Sequence, residues 1–157
     1  MSTAREQLYA VLLAIHQDTL LLPNAAVAEV LPRDALQVVA TGTSQWLVGH
    51  CDWNNRRVPV VRFEQLNNAR TKADPRRERL VVLNSLGRHL PSGHLAVVAQ
   101  GYPHLVTLNR SAMRATPLRE TDRDDLVLSR VRIANQEALI PSLEQLEAEI
   151  ARAQLIA

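Results

Sequence analysis

Apolar positions in this chain come in short runs divided by turn residues. "LYAVLLAI", from Leu8 to Ile15, is almost continuously apolar, the pattern of a strand covered on both faces. "HQDT" follows as a turn and "LLLP" as a second strand, closed by Pro23. "NAAVAEVL" reads as a short helix. Asn24 suits its N-cap, Val27, Val30 and Leu31 share one face at helical spacing, Glu29 points to solvent, and Pro32 stops it. "PRDALQVVATGTS" is a polar connection with one apolar interruption. "WLVGHCDW" and "RRVPVVRF" then flank Asn54-Asn55, residues that tolerate the left-handed backbone of a two-residue hairpin turn. Gly49 marks a bulge or a close backbone approach. Pro59 cannot donate a ladder bond, which places this hairpin at an edge or rim.

Beyond it, "FEQLNNAR" is one helical turn, and "RLVVLNSL", "HLAVVAQ" and "HLVTLN" are further strands. "SAMRATPLRETDRDD" reads as a polar connection. "LVLSRVRIA" and "EALI" form a hairpin with Asn135-Gln136 at its tip. The pattern changes at "PSLEQLEAEIARAQLIA". Ser142 with Gln145 makes a capping box, and Leu143, Leu146 and Ile150 recur at helical spacing, which predicts a helix over about 142–153. Short strands with so few helices between them argue for barrels or a sandwich, because successive parallel strands need crossover helices. Residues 1–7 are polar and read as a flexible arm; 8–157 read as a single domain.

Composition supports a real core. Of 157 residues, 46% are hydrophobic but only 3% aromatic, so aliphatics must build it. Both tryptophans, the only cysteine and the only phenylalanine fall within residues 44–66, which singles out the Asn54-Asn55 hairpin. The formal charge is +2 and the pI about 9.2. Arginine keeps its proton to high pH, so a small basic excess moves the pI far without implying a nucleic-acid partner. One cysteine cannot form an internal disulfide, and neither a leader nor a run of membrane-spanning length appears. A cytoplasmic protein without direct membrane insertion is expected.

Candidate chemistry is sparse. "HCD" at 50–52 lies on a strand, so His50 and Asp52 point one way and Cys51 the other, and the three cannot converge on one ion. The five histidines show no metal-ligand spacing. No G-x-S-x-G elbow and no phosphate-cradling glycine loop occurs. No catalytic residue, cofactor or metal is therefore assigned, and a non-enzymatic protein is expected. "RTKADPRRER", residues 70–79, is the densest basic run. Asp74 and Glu78 interrupt it and no aromatic is interleaved for stacking, so a solvated loop is expected over a nucleic-acid arm. A small β-barrel nucleic-acid binder is the rival reading.

The hairpin carries a resemblance. "WLVGHCDWNNRRVPVVRFEQL" resembles the central hairpin of the CheW-like domain, whose pattern is "hhGhhNhRGxhhPVhDL" with h apolar. Gly49 stands at the family glycine, Asp52 where Asn is frequent, and Val58-Pro59-Val60-Val61 at the apolar core. Asn54 replaces the usual arginine, Asn55 the glycine and Arg62 the aspartate. "VAEV" with Val27, Glu29 and Val30 matches a "V-x-E-h" segment, and the likeness runs over roughly residues 8 to 150. Trp53, "WNNRRVPVVRFE" and "AQGYP" are more similar to coupling proteins linked to type IV pili than to flagellar ones. The resemblance implies a mainly β fold of two intertwined small, SH3-like barrels with a short early helix and a C-terminal α-helix. It implies a non-enzymatic adaptor between a CheA-type histidine kinase regulatory domain and the cytoplasmic tip of a methyl-accepting chemoreceptor. Partner contact is expected from Val27, Glu29, Trp53, Asn54, Arg56 and Arg62.

Overall fold

The computed structural model describes residues 8–38, 45–68, 77–87 and 89–156. In chain order its strands are β1 (Leu8–Ile15), β2 (Asp18–Pro23), β3 (Val27–Pro32), β4 (Gln37–Val38), β5 (Leu47–Trp53), β6 (Arg56–Val61), β7 (Arg79–Asn84), β8 (His94–Ala99), β9 (His104–Leu108), β10 (Met113–Thr116), β11 (Val127–Ile133) and β12 (Gln136–Pro141). Helix α1 (Phe63–Asn67) follows β6, and α2 (Leu143–Ile156) closes the chain. The strands form two curled six-stranded sheets, ordered β10-β11-β12-β2-β1-β9 and β3-β7-β8-β6-β5-β4. The chain starts the first barrel, builds the whole of the second, then returns to complete the first. This is how the two become intertwined.

Strand alternation builds three apolar layers. Ala10, Leu12, Leu21, Leu108, Val131 and Ala138 fill the curl of the first sheet. Cys51, Val58, Val60, Leu80, Val82, Ala96 and Val98 fill that of the second. The alternate residues of the same strands, such as Val11, Leu13, Val81, Leu83, Leu95 and Val97, form a third layer that joins both sheets. Leu146 and Ile150 of α2 sit in this joining layer. Full burial of one such side chain stabilises by roughly 1.5–3 kcal/mol, so this layer packs the two sheets firmly against each other. β1, β7 and β8 are thus covered on both faces, which is why β1 is apolar almost throughout.

Most expected elements are present. Asn54 and Asn55 have φ of 53° and 62°, a left-handed pair that forms the two-residue turn between β5 and β6. The β5–β6 register shifts between Leu47 and Gly49, and a Cβ on Gly49 would lie 2.0 Å from the Gln37 carbonyl oxygen. Both the bulge and the close approach occur there. Ser142 Oγ accepts the Gln145 backbone N–H at 3.2 Å, capping α2, which extends beyond 153 to Ile156.

Four local expectations are corrected. The segment after Pro23 is no short early helix: Asn24–Ala26 make a 3-10 turn and Val27–Pro32 form strand β3, because pairing with β7 satisfies this backbone better than an isolated helical turn. β6 lies inside its sheet rather than at an edge. Pro59 is tolerated because parallel pairing with β8 begins only at Val60. The last hairpin turns at Ala134-Asn135, with Ala134 at φ 52°, one residue earlier than expected. The two polar connections each hide a strand, β4 and β10. The N-terminal arm, residues 1–7, and most of the basic run, 69–76, lie outside the described residues.

Candidate interaction site

The Asn54-Asn55 turn leaves Asn54 exposed at the hairpin tip and sets Trp53 and Arg56 facing each other across the strand pair. Trp53 packs its ring partly on the second barrel's interior. Its ring also meets His94 in an edge arrangement, with centroids 4.7 Å apart. Its indole N–H donates to Glu29 Oε1 at 3.2 Å, so the exposed carboxylate of β3 and the tryptophan of β5 meet at the barrel mouth. Arg56 donates from Nη1 to the Ser92 carbonyl at 2.8 Å, and Ser92 Oγ donates to the His94 carbonyl at 2.7 Å. The hairpin tip and the turn before β8 are thereby braced into one rim carrying an amphipathic ring, a carboxylate and a guanidinium. Tryptophan and arginine in this setting are the side chains enriched at energetic centres of interfaces.

The expected contact residues therefore separate. Glu29, Trp53, Asn54 and Arg56 share the rim. Val27 is turned inward, partly buried against the joining layer. Arg62 does not lie on the surface. Its side chain is 9% exposed and its guanidinium is paired with the fully buried Glu78, Nη2 reaching Oε1 at 3.2 Å. Arg33 is a second partner, donating from Nε to Glu78 Oε1 at 3.0 Å. Glu78, read as a charge within a solvated run, is thus the buried counter-ion that holds the start of α1. His94 was not singled out by the sequence: only the fold carries β8 beside the hairpin.

On the same hairpin Cys51 points into the barrel and is fully buried, its thiol pushed up to about 11 by burial and then by Asp52. His50 and Asp52 point outward and both bond the Gln37 side chain. Such a thiol is a packing group rather than a nucleophile. Among the described residues no group of three or more His, Cys, Asp or Glu is placed to hold a metal ion.

A second polar cluster was also missed. Arg130, 1% exposed, donates to Asp122 at 2.6 and 2.8 Å and to Asp18 at 2.8 and 3.1 Å, with Glu137 at 3.4 Å. Burial acts to raise the Asp122 carboxyl, but bonds from Arg130, Asn67 and the Arg119 N–H outweigh it and hold Asp122 well below the usual carboxylate range. Asn67 of α1 bridges to Asp122 Oδ1 at 3.0 Å and accepts the Arg123 N–H at 2.8 Å. The cluster ties the second barrel to the first. It holds no nucleophile, and every acid in it is engaged.

Comparison with known proteins agrees with this architecture. Residues 10–150 match the model of the CheW-like domain, and the chain belongs to that family. Among solved structures, the scaffolding protein TtCheW from Thermoanaerobacter tengcongensis superposes with a TM-score of 0.68 at 13% identity, over 87% of this chain and 89% of that one. At that identity the likeness concerns the fold. No curated protein matches in sequence. No helix among the described residues is long and apolar enough to cross a membrane.

Proposed function

We propose that this chain is a non-enzymatic scaffold of a chemosensory pathway. It couples a methyl-accepting chemoreceptor, at its cytoplasmic tip, to the regulatory domain of a CheA-type histidine kinase. Membership of the CheW-like family and the scaffolding role named for TtCheW support the class. The observation that carries the reading is the rim at the second barrel's mouth, where Trp53 is held by Glu29 and His94. A partly buried indole held by two contacts presents a large surface at little further ordering cost, which favours binding. The pilus-linked pathway is the finer proposal and rests on Trp53 and the "WNNRRVPVVRFE" and "AQGYP" segments. The loss of the family arginine at Asn54 fits a partner preference distinct from flagellar couplers. The family match and the likeness to a scaffolding protein give no support to the nucleic-acid rival.

The test is titration of a fluorescently labelled CheA-type regulatory domain with the full chain, and in parallel with a Trp53→Ala variant. Saturable binding weakened at least tenfold by the variant is expected. Equal affinity of both would remove the rim from the interface.

A further inference from the structure

We propose that Glu64 is a proton-operated strut between the two barrels: when its carboxyl is protonated the junction is closed, and when it ionises the junction loosens. Glu64 sits on α1, in the second barrel, and is only 5% exposed. Its Oε2 accepts the backbone N–H of His16, in the β1–β2 turn of the first barrel, at 3.3 Å. Among the described residues its Oε1 is buried and has no hydrogen-bond partner. A cavity of about 60 Å³ adjoins it, lined also by His16, Asp18, Asn67, Arg119, Asp122 and Arg130.

The charges facing Glu64 come from every side of this cavity, and all the cations are already committed. Arg62, at the start of α1, is paired with Glu78. Arg130 of β11 is paired with Asp18 of β2 and with Asp122 of the loop before β11. Arg119, in that same loop, lies 3.6 Å from Asp18 and 2.8 Å from Glu137. His16 offers Glu64 its backbone N–H. An ionised carboxylate buried with only backbone N–H donors, one oxygen unbonded and no ion-pair partner is costly, and taking up a proton removes most of that cost. Burial raises Glu64 from its ordinary 4.5, against its own backbone bond, the His16 N–H and the charges of Arg62 and His16.

The sign follows from linkage. A folded-state carboxyl that titrates above its unfolded value contributes stability that is complete below 4.5 and is lost as pH rises through the folded value. The loss falls on the junction, because His16 and Glu64 belong to different barrels. Two other bonds report on the same junction: Gln100 N–H to the Ala14 carbonyl at 2.7 Å, and Arg123 N–H to Asn67 Oδ1 at 2.8 Å.

The experiment follows the Glu64 side-chain carboxyl carbon by NMR in the full chain from pH 4 to 8. Amide exchange protection at His16, Gln100 and Arg123 is measured in parallel, corrected for intrinsic rates. Glu64 should titrate above 4.5. Protection should fall by up to about tenfold per pH unit until its midpoint is passed, then level off. In Glu64→Gln the same amides should show a flat profile, and in His16→Gln the wild-type profile should persist. A Glu64 midpoint at or below 4.5, an unchanged slope in Glu64→Gln, or a slope lost in His16→Gln would each overturn the proposal. Should Glu64→Gln fail to fold, the wild-type titration decides alone: protection must fall together with the Glu64 signal.

Discussion

The indole N–H of Trp53 donates to Glu29 Oε1 at 3.2 Å, although their strands, β5 and β3, are not neighbours in the sheet. The bond spans the mouth of the second barrel and fixes which face of the tryptophan is offered outward. Glu29→Lys replaces the acceptor with a cation at an exposed position. The domain should stay folded, with a shift in urea unfolding of about 0.5 kcal/mol or less. Association with the kinase regulatory domain should slow, and its salt dependence should change, as expected of a rim charge. Stopped-flow association at two ionic strengths checks this.

Arg62 and Glu78 make the opposite case. Glu78→Ala leaves a buried guanidinium with no carboxylate and should cost roughly 3–5 kcal/mol. Arg62→Met combined with Glu78→Leu removes both charges and should recover most of that loss. Urea denaturation of the two variants tests the pairing, and a loss below about 1 kcal/mol for Glu78→Ala would contradict its burial.

Acid stability should depend on Arg130. Asp122 is held below its ordinary 3.8, so its contribution is complete above that value and is lost as pH falls below it. Arg130→Met strips Asp122 of its cation and leaves Asp18 only the more distant Arg119, and should destabilise by about 3–5 kcal/mol at pH 7. The gap between wild type and variant should narrow by pH 3, where the carboxyl groups of the variant are protonated. Thermal unfolding at the two pH values measures it; a constant gap would contradict the network.

Local chemistry made much of the fold legible. The Asn54-Asn55 pair announces its turn, Gly49 its bulge, and the unbroken apolar run of β1 its two covered faces. The state of β3 is not legible locally because "VAEVL" fits helical spacing, while pairing with the distant β7 makes it a strand. β4 and β10 have two and four residues, too few for a period. The site divides the same way. Glu29, Trp53, Asn54 and Arg56 carry surface chemistry in their own segments. Arg62 looked like a surface cation because its counter-ion lies 16 residues away, and Arg130 meets Asp18 across 112. No local pattern encodes a pairing of that length.

The central claim is coupling, and co-sedimentation tests it most directly. Receptor cytoplasmic fragments assembled on vesicles, a CheA-type kinase and this full chain are mixed, spun and quantified in the pellet. The account predicts that the kinase pellets with receptor only when the chain is present. It also predicts that Trp53→Ala lowers the pelleted kinase at least several-fold while the variant remains folded. Kinase recovery that is the same with and without the chain, for the receptor and kinase it binds individually, would contradict the account.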